Sequence, residues 1–266
     1  MPGTSIMRVF ISTACIGLFL FVGAKGAPQD ETGGMQAKKT AVYSEKEISE
    51  GRDYLMKSVD ACGGITTFKK TKNYEMTCTV NSSKQGSMQY REVKVFPDKM
   101  AQFVKTPSVT QEMYYNGSDG WTVLAGTAKP MPPTQADMMA DQMKRDQFYL
   151  LMHVDDKDLI VAFKGMSDFD GQKALRIEVV LNESETYSIF LDTASYRIIG
   201  MKQETLSAMG PTTVSIALLD YKEFGGVSLP SRIEQKVGGQ TVTITDISYR
   251  LDIDIDKTMF EKPSGI

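Results

Sequence analysis

Hydrophobic and polar residues alternate with a period of two along most of the chain after its first quarter. In the first such segment, Tyr74, Met76 and Cys78 alternate with polar residues. This alternation predicts a β-strand with one buried face and one solvated face. Turns rich in Gly, Pro, Asn and Asp separate the segments, and short strands at this spacing favour one antiparallel meander over a parallel α/β sheet. The predicted strands are 73–80, 87–96, 99–105, 108–116, 120–125, 159–165, 173–181, 187–192, 198–205, 213–221, 227–236 and 241–251.

Helical spacing replaces this alternation just before the first strand. Ser44 and Glu47 form a capping box, with a hydroxyl at the N-cap and a carboxylate three residues later. Apolar residues then recur at helical spacing until Gly63 and Gly64, which are typical of a helix end. We therefore predict a helical region over about 44–70, with a short second piece after the two glycines.

A second helical region, at about 134–153, interrupts the strands after a proline-rich break. Thr134 and Asp137 follow the same capping logic at its start. Methionine is flexible and polarizable, so a methionine-rich helix suits a surface that accepts ligands of varying shape. The alternative is an ordinary amphipathic helix that covers a sheet, with methionine filling irregular space. The apolar residues of this region are Met138, Met139, Met143, Phe148, Leu150, Leu151 and Met152.

The N-terminal segment has the pattern of an export signal. Arg8 precedes an apolar stretch at 9–22, and small residues follow it. This pattern predicts a signal peptide over 1–24, although cleavage at any point up to Ala27 also fits. An uncleaved membrane anchor is the alternative, but about 14 apolar residues are few for a spanning helix. We expect a periplasmic protein with a flexible leader at 25–42.

The three cysteines carry different expectations. Cys15 lies early in the apolar signal segment, and apolar residues continue beyond it, which argues against a lipid-attachment site. Cys62 and Cys78 could form a disulfide in an oxidising compartment, which would tether the first helix to the first strand. Two free, buried thiols are the alternative.

Composition argues against several classes of function. The formal charge of -3 becomes -4 without Arg8, so no basic excess is present to bind nucleic acid. The single histidine, His153, excludes a His-rich metal cluster, and no serine in a Gly-x-Ser-x-Gly motif is present to partner it. The acidic runs at 155–158 and 252–256 lack the glycine and terminal glutamate of a calcium loop. The sequence therefore predicts a protein that is not an enzyme and that has no cofactor or metal.

Several turn and strand motifs occur together in an order typical of one family. They are the capped helix ending at Gly63-Gly64, Val95-Phe96-Pro97-Asp98-Lys99, Tyr115-Asn116-Gly117-Ser118-Asp119-Gly120-Trp121, Asp220-Tyr221, Gly226-Val227-Ser228-Leu229-Pro230 and Phe260-Glu261-Lys262-Pro263. Over residues 44–263 the chain resembles the periplasmic LolA-like family of outer-membrane lipoprotein carriers and lipoprotein-sorting proteins. The resemblance implies a mainly β (α+β) fold with a single domain at 43–266. That domain is an open antiparallel half-barrel of about eleven strands, with helices at 44–70 and 134–153 covering its concave face.

The resemblance also implies a function. We expect a binding or carrier protein for a lipid or a lipid-modified protein, monomeric, with a periplasmic or outer-membrane protein as a second partner. An interaction or sensor module on the same scaffold, also without enzymatic activity, is the alternative. Trp121 equally fits a core aromatic that follows a hairpin turn. The residues expected to line the acyl-chain cavity are Met76, Phe103, Met113, Tyr115, Trp121, Met138, Met139, Met143 and Phe148.

One position departs from the family pattern. In the lipoprotein carriers, a basic residue precedes the proline that ends the second strand, and it latches the lid helices. Phe96 occupies this place before Pro97. The sequence therefore predicts that a charged latch is missing.

Overall fold

The computed structural model describes residues 43–84, 86–182, 185–207 and 210–266. The predicted signal peptide and leader, at 1–24 and 25–42, lie outside the described residues. Within the described part of the chain, the helices lack the combination of length and apolar character that a membrane span requires.

Four α-helices and thirteen β-strands make up this part of the chain. The helices are α1 (Glu45–Ala61), α2 (Ile65–Lys70), α3 (Pro133–Arg145) and α4 (Gln147–Met152), with a final 3₁₀ turn at Lys257–Phe260. The strands are β1 (Asn73–Ser82), β2 (Gly86–Val95), β3 (Lys99–Lys105), β4 (Thr110–Tyr115), β5 (Gly120–Leu124), β6 (Thr127–Pro130), β7 (Ile160–Phe169), β8 (Gln172–Asn182), β9 (Glu185–Asp192), β10 (Ile198–Ser207), β11 (Gly210–Phe224), β12 (Val227–Val237) and β13 (Gln240–Leu251).

The strands form one open antiparallel sheet, which confirms the predicted fold class. The spatial order is β6-β5-β4-β3-β2-β1-β13-β12-β11-β10-β9-β8-β7. The sheet is therefore not one continuous meander, as the sequence predicted, but two meanders joined where β1 pairs with β13. Tyr74 lies opposite Leu251 in that pairing. The connection from β6 to β7 carries α3 and α4 from one edge of the sheet to the other.

The proline-rich break holds a strand that the sequence analysis missed. β6 pairs with β5, and its last residue, Pro130, lies opposite Trp121. Proline is tolerated there because β6 is an edge strand, so its missing N–H costs no bond to a further strand. The predicted start of the following helix at Thr134 is wrong, because Pro132 is the N-cap and Pro133 the first helical residue. The predicted single helix is also two helices, with the break at Asp146.

All four helices pack on one face of the sheet, which we call the helix face. The main core lies there and is built from α1, α2, α4 and inward side chains of β1, β2, β3 and β7–β13. The opposite, outer face carries a smaller cluster of Val93, Ala101 and Phe260, against which Phe103 and Tyr114 pack. Strands β2 and β3 therefore send alternate side chains to two separate apolar layers, as the period of two requires.

Helix α1 approaches the edge strand β7 at Gly51. A Cβ atom at this position would lie 2.5 Å from the carbonyl oxygen of Val161 and 3.0 Å from the backbone nitrogen of Phe163. Arg52 donates to the carbonyl oxygens of Lys157 at 3.1 Å and Leu159 at 2.6 Å. The helix is thus held against the backbone of the edge strand through a position that admits only glycine.

We predict that Gly51→Ala lowers the free energy of unfolding by about 1–3 kcal/mol, because the added methyl group overpacks the contact with the β7 backbone. Helix propensity alone predicts the opposite sign, a gain of about 1 kcal/mol. Urea unfolding of the variant measures the difference. Ser49→Ala, at an exposed site of the same helix, is the control and should be neutral or slightly stabilising. A stabilised Gly51→Ala protein would contradict the close approach.

Candidate functional site

A methionine cluster lies between α3 and the strands β3–β6. Within α3, Ala136, Met139 and Met143 recur at helical spacing and point to the sheet, where they meet methionines of β3, of β4 and of the segment after β6. Phe96 and Tyr115 pack against the border of this cluster. The buried members are Met100, Met113, Met131, Ala136, Met139 and Met143.

The junction between α3 and α4 binds three different strands. Residues 145–147 are consecutive, and each sends its side chain to a separate part of the sheet. Arg145 and Gln147 are buried although both are polar, so their hydrogen bonds offset the cost of removing them from water. The contacts are Arg145 Nη2 to Glu185 Oε1 of β9 at 2.6 Å, Lys94 Nζ of β2 to Asp146 Oδ2 at 2.7 Å, and Gln147 Nε2 to Tyr221 Oη of β11 at 3.0 Å.

The contact through Lys94 belongs to a buried ionic cluster of Glu92, Lys94 and Asp146. The Lys94 ammonium lies 3.0 Å from Glu92 and 2.7 Å from Asp146, and its side chain is 3% exposed. Burial by itself lowers the pKa of Lys94, but the two neighbouring carboxylates more than offset this, so its pKa is raised. The lysine therefore stays charged in the interior.

Neutral groups complete the hydrogen bonding of the ionic cluster. Tyr74 Oη donates to Asp146 at 2.8 Å. Tyr90 Oη and Gln102 Nε2 donate to the same oxygen of Glu92 at 2.9 and 3.0 Å. The other carboxylate oxygen of Asp146 accepts from the backbone N–H groups of Phe148 and Tyr149, and so caps α4. Burial and the Asp146 charge raise the pKa of Tyr74 well above its ordinary value, so its phenol remains a donor.

The position before Pro97 carries no charge, as the sequence indicated, but a charged contact with the helices is present at another position. Lys94 lies two residues before Phe96 on the same face of β2, and it supplies a positive charge to the helix junction. Phe96 instead stacks on Phe148 of α4, with ring centroids 5.6 Å apart. The strand thus makes both an ionic and an aromatic contact with the helices.

A small cavity of about 40 Å³ lies beside the ionic cluster. One end is polar and is formed by the ionic cluster with Gln142 and Gln147, while Met76 and Phe148 contribute to the apolar remainder. A water molecule needs about 10–15 Å³ by this measure. The cavity therefore has room for only a few water molecules and not for an acyl chain. A second, more open cavity of about 220 Å³ lies between the helices and β8, where Leu150 of α4 and Val179 of β8 contribute to its lining.

Solved structures share this arrangement of sheet and helices. The chain matches a DUF1329 family protein from Desulfovibrio piger with a TM-score of 0.54 and 10% identity, covering 81% of this chain and 97% of that one. It matches a LolA superfamily protein from Nitrosomonas europaea with a TM-score of 0.53 and 12% identity, covering 80% and 97%. The chain has a LolA-like fold. A putative outer-membrane lipoprotein-sorting domain from Vibrio parahaemolyticus is equally similar, with a TM-score of 0.52, 12% identity and coverage of 80% and 97%. No protein-family model and no curated protein matches the sequence.

Six of the nine predicted cavity residues lie between the sheet and the helices. Met113, Met139 and Met143 are buried in the methionine cluster, and Tyr115 packs against it. Met76 and Phe148 line the small cavity instead.

The remaining three residues lie elsewhere. Phe103 and Trp121 belong to the outer face, where Trp121 stacks on Tyr114 with centroids 5.3 Å apart and Phe103 meets the same tyrosine edge-on at 5.7 Å. Their predicted placement in the cavity is therefore wrong. The strand register causes this difference. Trp121 lies opposite Tyr114, and Met113 lies opposite Thr122, so Trp121 and Met113 point to opposite faces of the sheet. Met138 is half-buried on α3 and lies outside the methionine cluster.

Sequence reasoning missed several residues of the site. Met100 and Met131 complete the methionine cluster, and Glu92, Lys94 and Asp146 form the ionic cluster. A signal for Glu92 and Lys94 was present in β2, where the inward positions are first apolar and then charged. Charged residues at inward positions of a strand indicate a buried pair.

The predicted disulfide is not formed, since Cys62 and Cys78 are both free and buried. Cys62 is the C-cap of α1, and its carbonyl oxygen accepts from Ser228 of β12 at 2.9 Å. Cys78 is fixed in β1 opposite Tyr90 of β2. Each thiol is therefore held by its own element. Burial raises the pKa of Cys62 to about 11 and that of Cys78 to about 12.

We predict that these two thiols are unreactive in the folded protein. A raised pKa keeps each thiol protonated at pH 8, and burial blocks access. In protein that begins after residue 24, 5,5′-dithiobis(2-nitrobenzoate) should detect both thiols after denaturation without reductant, and almost none before. If the denatured protein contained no free thiols, Cys62 and Cys78 would instead be joined in a disulfide.

We predict that Lys94→Met lowers the free energy of unfolding by about 3–5 kcal/mol, because it leaves two buried carboxylates without their cation. Lys236→Met is the matched control, since Lys236 forms an exposed ion pair with Asp170 at 2.8 Å. That variant should cost less than about 1 kcal/mol. Chemical denaturation of both variants gives the comparison, and equal losses would show that the ionic cluster does not stabilise the fold.

Proposed function

We propose that this protein binds the acyl chains of a lipid or of a lipid-modified protein between its sheet and the helices α3 and α4, and carries them outside the cytoplasm. The observation that carries the proposal is the methionine cluster. Five methionines from three strands or connecting segments and one helix meet in a single apolar layer. Because methionine side chains change conformation at little cost, such a layer can repack around chains of different shape.

The helix junction supports this function through the kind of contact it makes. Polar side chains hold residues 145–147 to the sheet, whereas the methionine cluster holds α3 by non-directional packing. A ligand that enters under α3 exchanges methionine–methionine contacts for methionine–acyl contacts of similar energy. The hydrogen bonds at the junction then fix the position to which the helices return.

The size of the cavity requires such a movement. Sites that enclose small molecules usually have volumes of about 300–1,000 Å³, and the cavity beside the ionic cluster has about 40 Å³. In this proposal, the described arrangement is the one in which α3 packs directly on the sheet through the methionine cluster. Loading separates α3 from β3–β6 and exposes the methionine cluster to the ligand.

The place of action follows from the N-terminal sequence. Arg8, the apolar stretch at 9–22 and the small residues after it have the pattern of an export signal. The likeness to LolA superfamily and lipoprotein-sorting proteins is one of fold, and it agrees with a carrier that works in the periplasm.

A second candidate is an interaction or sensor module on the same scaffold. The small volume beside the ionic cluster favours this alternative, since a carrier needs space for its ligand and a module of this kind does not. In that case the sheet surface or an edge strand such as β7 would bind another protein.

We predict that Met139→Glu abolishes binding of the neutral hydrophobic probe N-phenyl-1-naphthylamine. The new carboxylate would lie unpaired within the methionine cluster and remove an apolar contact with the probe. Met166→Glu is the matched control, because it makes the same change on β7 at a methionine that is 55% exposed. Fluorescence titration gives the affinities, and far-ultraviolet circular dichroism tests whether each variant keeps its sheet.

Two outcomes would contradict the lipid-binding function. If Met139→Glu is folded and binds the probe as well as Met166→Glu, the methionine cluster is not the binding layer. If the wild type binds no probe and carries no lipid in native mass spectrometry, the interaction module takes the place of the carrier.

A further inference from the structure

The small cavity beside the ionic cluster has a distinct polar end and apolar end. Its apolar wall includes Leu218 and Ile233 of the central strands. Its polar end is formed by the ionic cluster together with Gln142 of α3. A molecule with an apolar chain and one polar group matches this division, so the chemistry of the polar end determines which polar group is accepted.

The charges at the polar end sum to a net negative value. Glu92 and Asp146 each carry one negative charge and Lys94 carries one positive charge, which leaves one negative charge in excess. Both carboxylates and the ammonium are already paired within the cluster. The neighbouring ion pair of Arg145 and Glu185 adds no net charge. A further anion at this place would therefore meet net repulsion in a region of low dielectric.

The same end offers a neutral hydrogen-bond donor. Gln142 Nε2 is buried and has no hydrogen-bond partner among the described residues. The other amide at this end, Gln147 Nε2, is already bound to Tyr221. A buried donor without a partner is costly, and a carbonyl oxygen that accepts from it removes this cost.

We propose that this polar end recognises the carbonyl group of an acyl ester or amide and rejects the carboxylate of a free fatty acid. The proposal rests on the proposed binding of acyl chains and specifies the ligand class. Gln142 donates to the carbonyl oxygen, the chain extends into the methionine cluster or along the apolar wall, and the negative ionic cluster excludes the free acid. Ester-linked and amide-linked acyl chains share this chemistry, and both linkages occur in lipids and in lipid-modified proteins.

Competition among ligands of equal chain length tests the proposal. Bound N-phenyl-1-naphthylamine is displaced near neutral pH with dodecanoate, 1-dodecanoylglycerol or N-dodecanoylserine amide, each below its critical micelle concentration. At least one neutral ligand should displace the probe at a concentration at least about tenfold lower than dodecanoate, a difference of about 1.4 kcal/mol. The tighter of the two neutral ligands shows whether the site prefers an ester-linked or an amide-linked acyl chain.

Two variants separate charge from hydrogen bonding. Glu92→Gln removes the excess negative charge and should reduce the preference to about threefold or less, mainly by improving dodecanoate binding. Glu204→Gln, at an exposed position of β10, is the control and should leave the preference unchanged. Gln142→Leu should weaken the neutral ligands by about fivefold or more, a loss of about 1 kcal/mol. Because Gln142 lies on the partly exposed side of α3, this variant keeps a test available if Glu92→Gln does not fold.

The outcomes distinguish this inference from the function on which it rests. Equal displacement by dodecanoate and both neutral ligands, or tighter dodecanoate binding, would overturn the proposed selectivity and leave acyl-chain binding intact. Loss of selectivity in Glu204→Gln as well would also count against it. Probe binding that none of the three ligands displaces would contradict acyl-chain binding itself, and the selectivity with it.

Discussion

The position of α3 and α4 over the sheet depends on one buried cation. Lys94 lies between Glu92 of its own strand and Asp146 of the α3–α4 junction, and its side chain is almost fully buried. Removing three charges from water is costly, so this arrangement persists only because every charge has partners. Asp146 also caps α4, and thus the same carboxylate starts a helix and binds the sheet. Moving the junction away from the sheet would separate Asp146 from Lys94 and Tyr74.

This ionic cluster divides the interior into two apolar layers with different properties. On one side lies the main core, which contains branched and aromatic residues with restricted side-chain conformations, and on the other lies the methionine cluster. Methionine has more rotatable bonds than the branched residues, so the second layer is the one that can change its packing. A rigid core beside an adaptable layer separates stability from ligand binding, and mutations in the two layers should affect different measurements.

The local features of the fold could be predicted from the sequence, but the pairing between distant segments could not. Alternation located twelve strands, and the capping box of Ser44 and Glu47 located α1. Nothing local indicates that β1 pairs with β13, or that Lys94 meets Asp146 across the interior. The errors at Phe103 and Trp121 have a related cause. Alternation shows which residues of one strand share a face of the sheet. Which residues of the next strand share that face depends on the turn that joins the two strands.

The pairing of β1 with β13 determines when the sheet can be completed. The partners Tyr74 and Leu251 lie near opposite ends of the folded chain, so each half-sheet keeps an unpaired central strand until the last strand is available. Pairings over such long sequence separations form slowly. The amino-terminal half-sheet therefore reaches its final structure only after β13 is available to cover the open edge of β1.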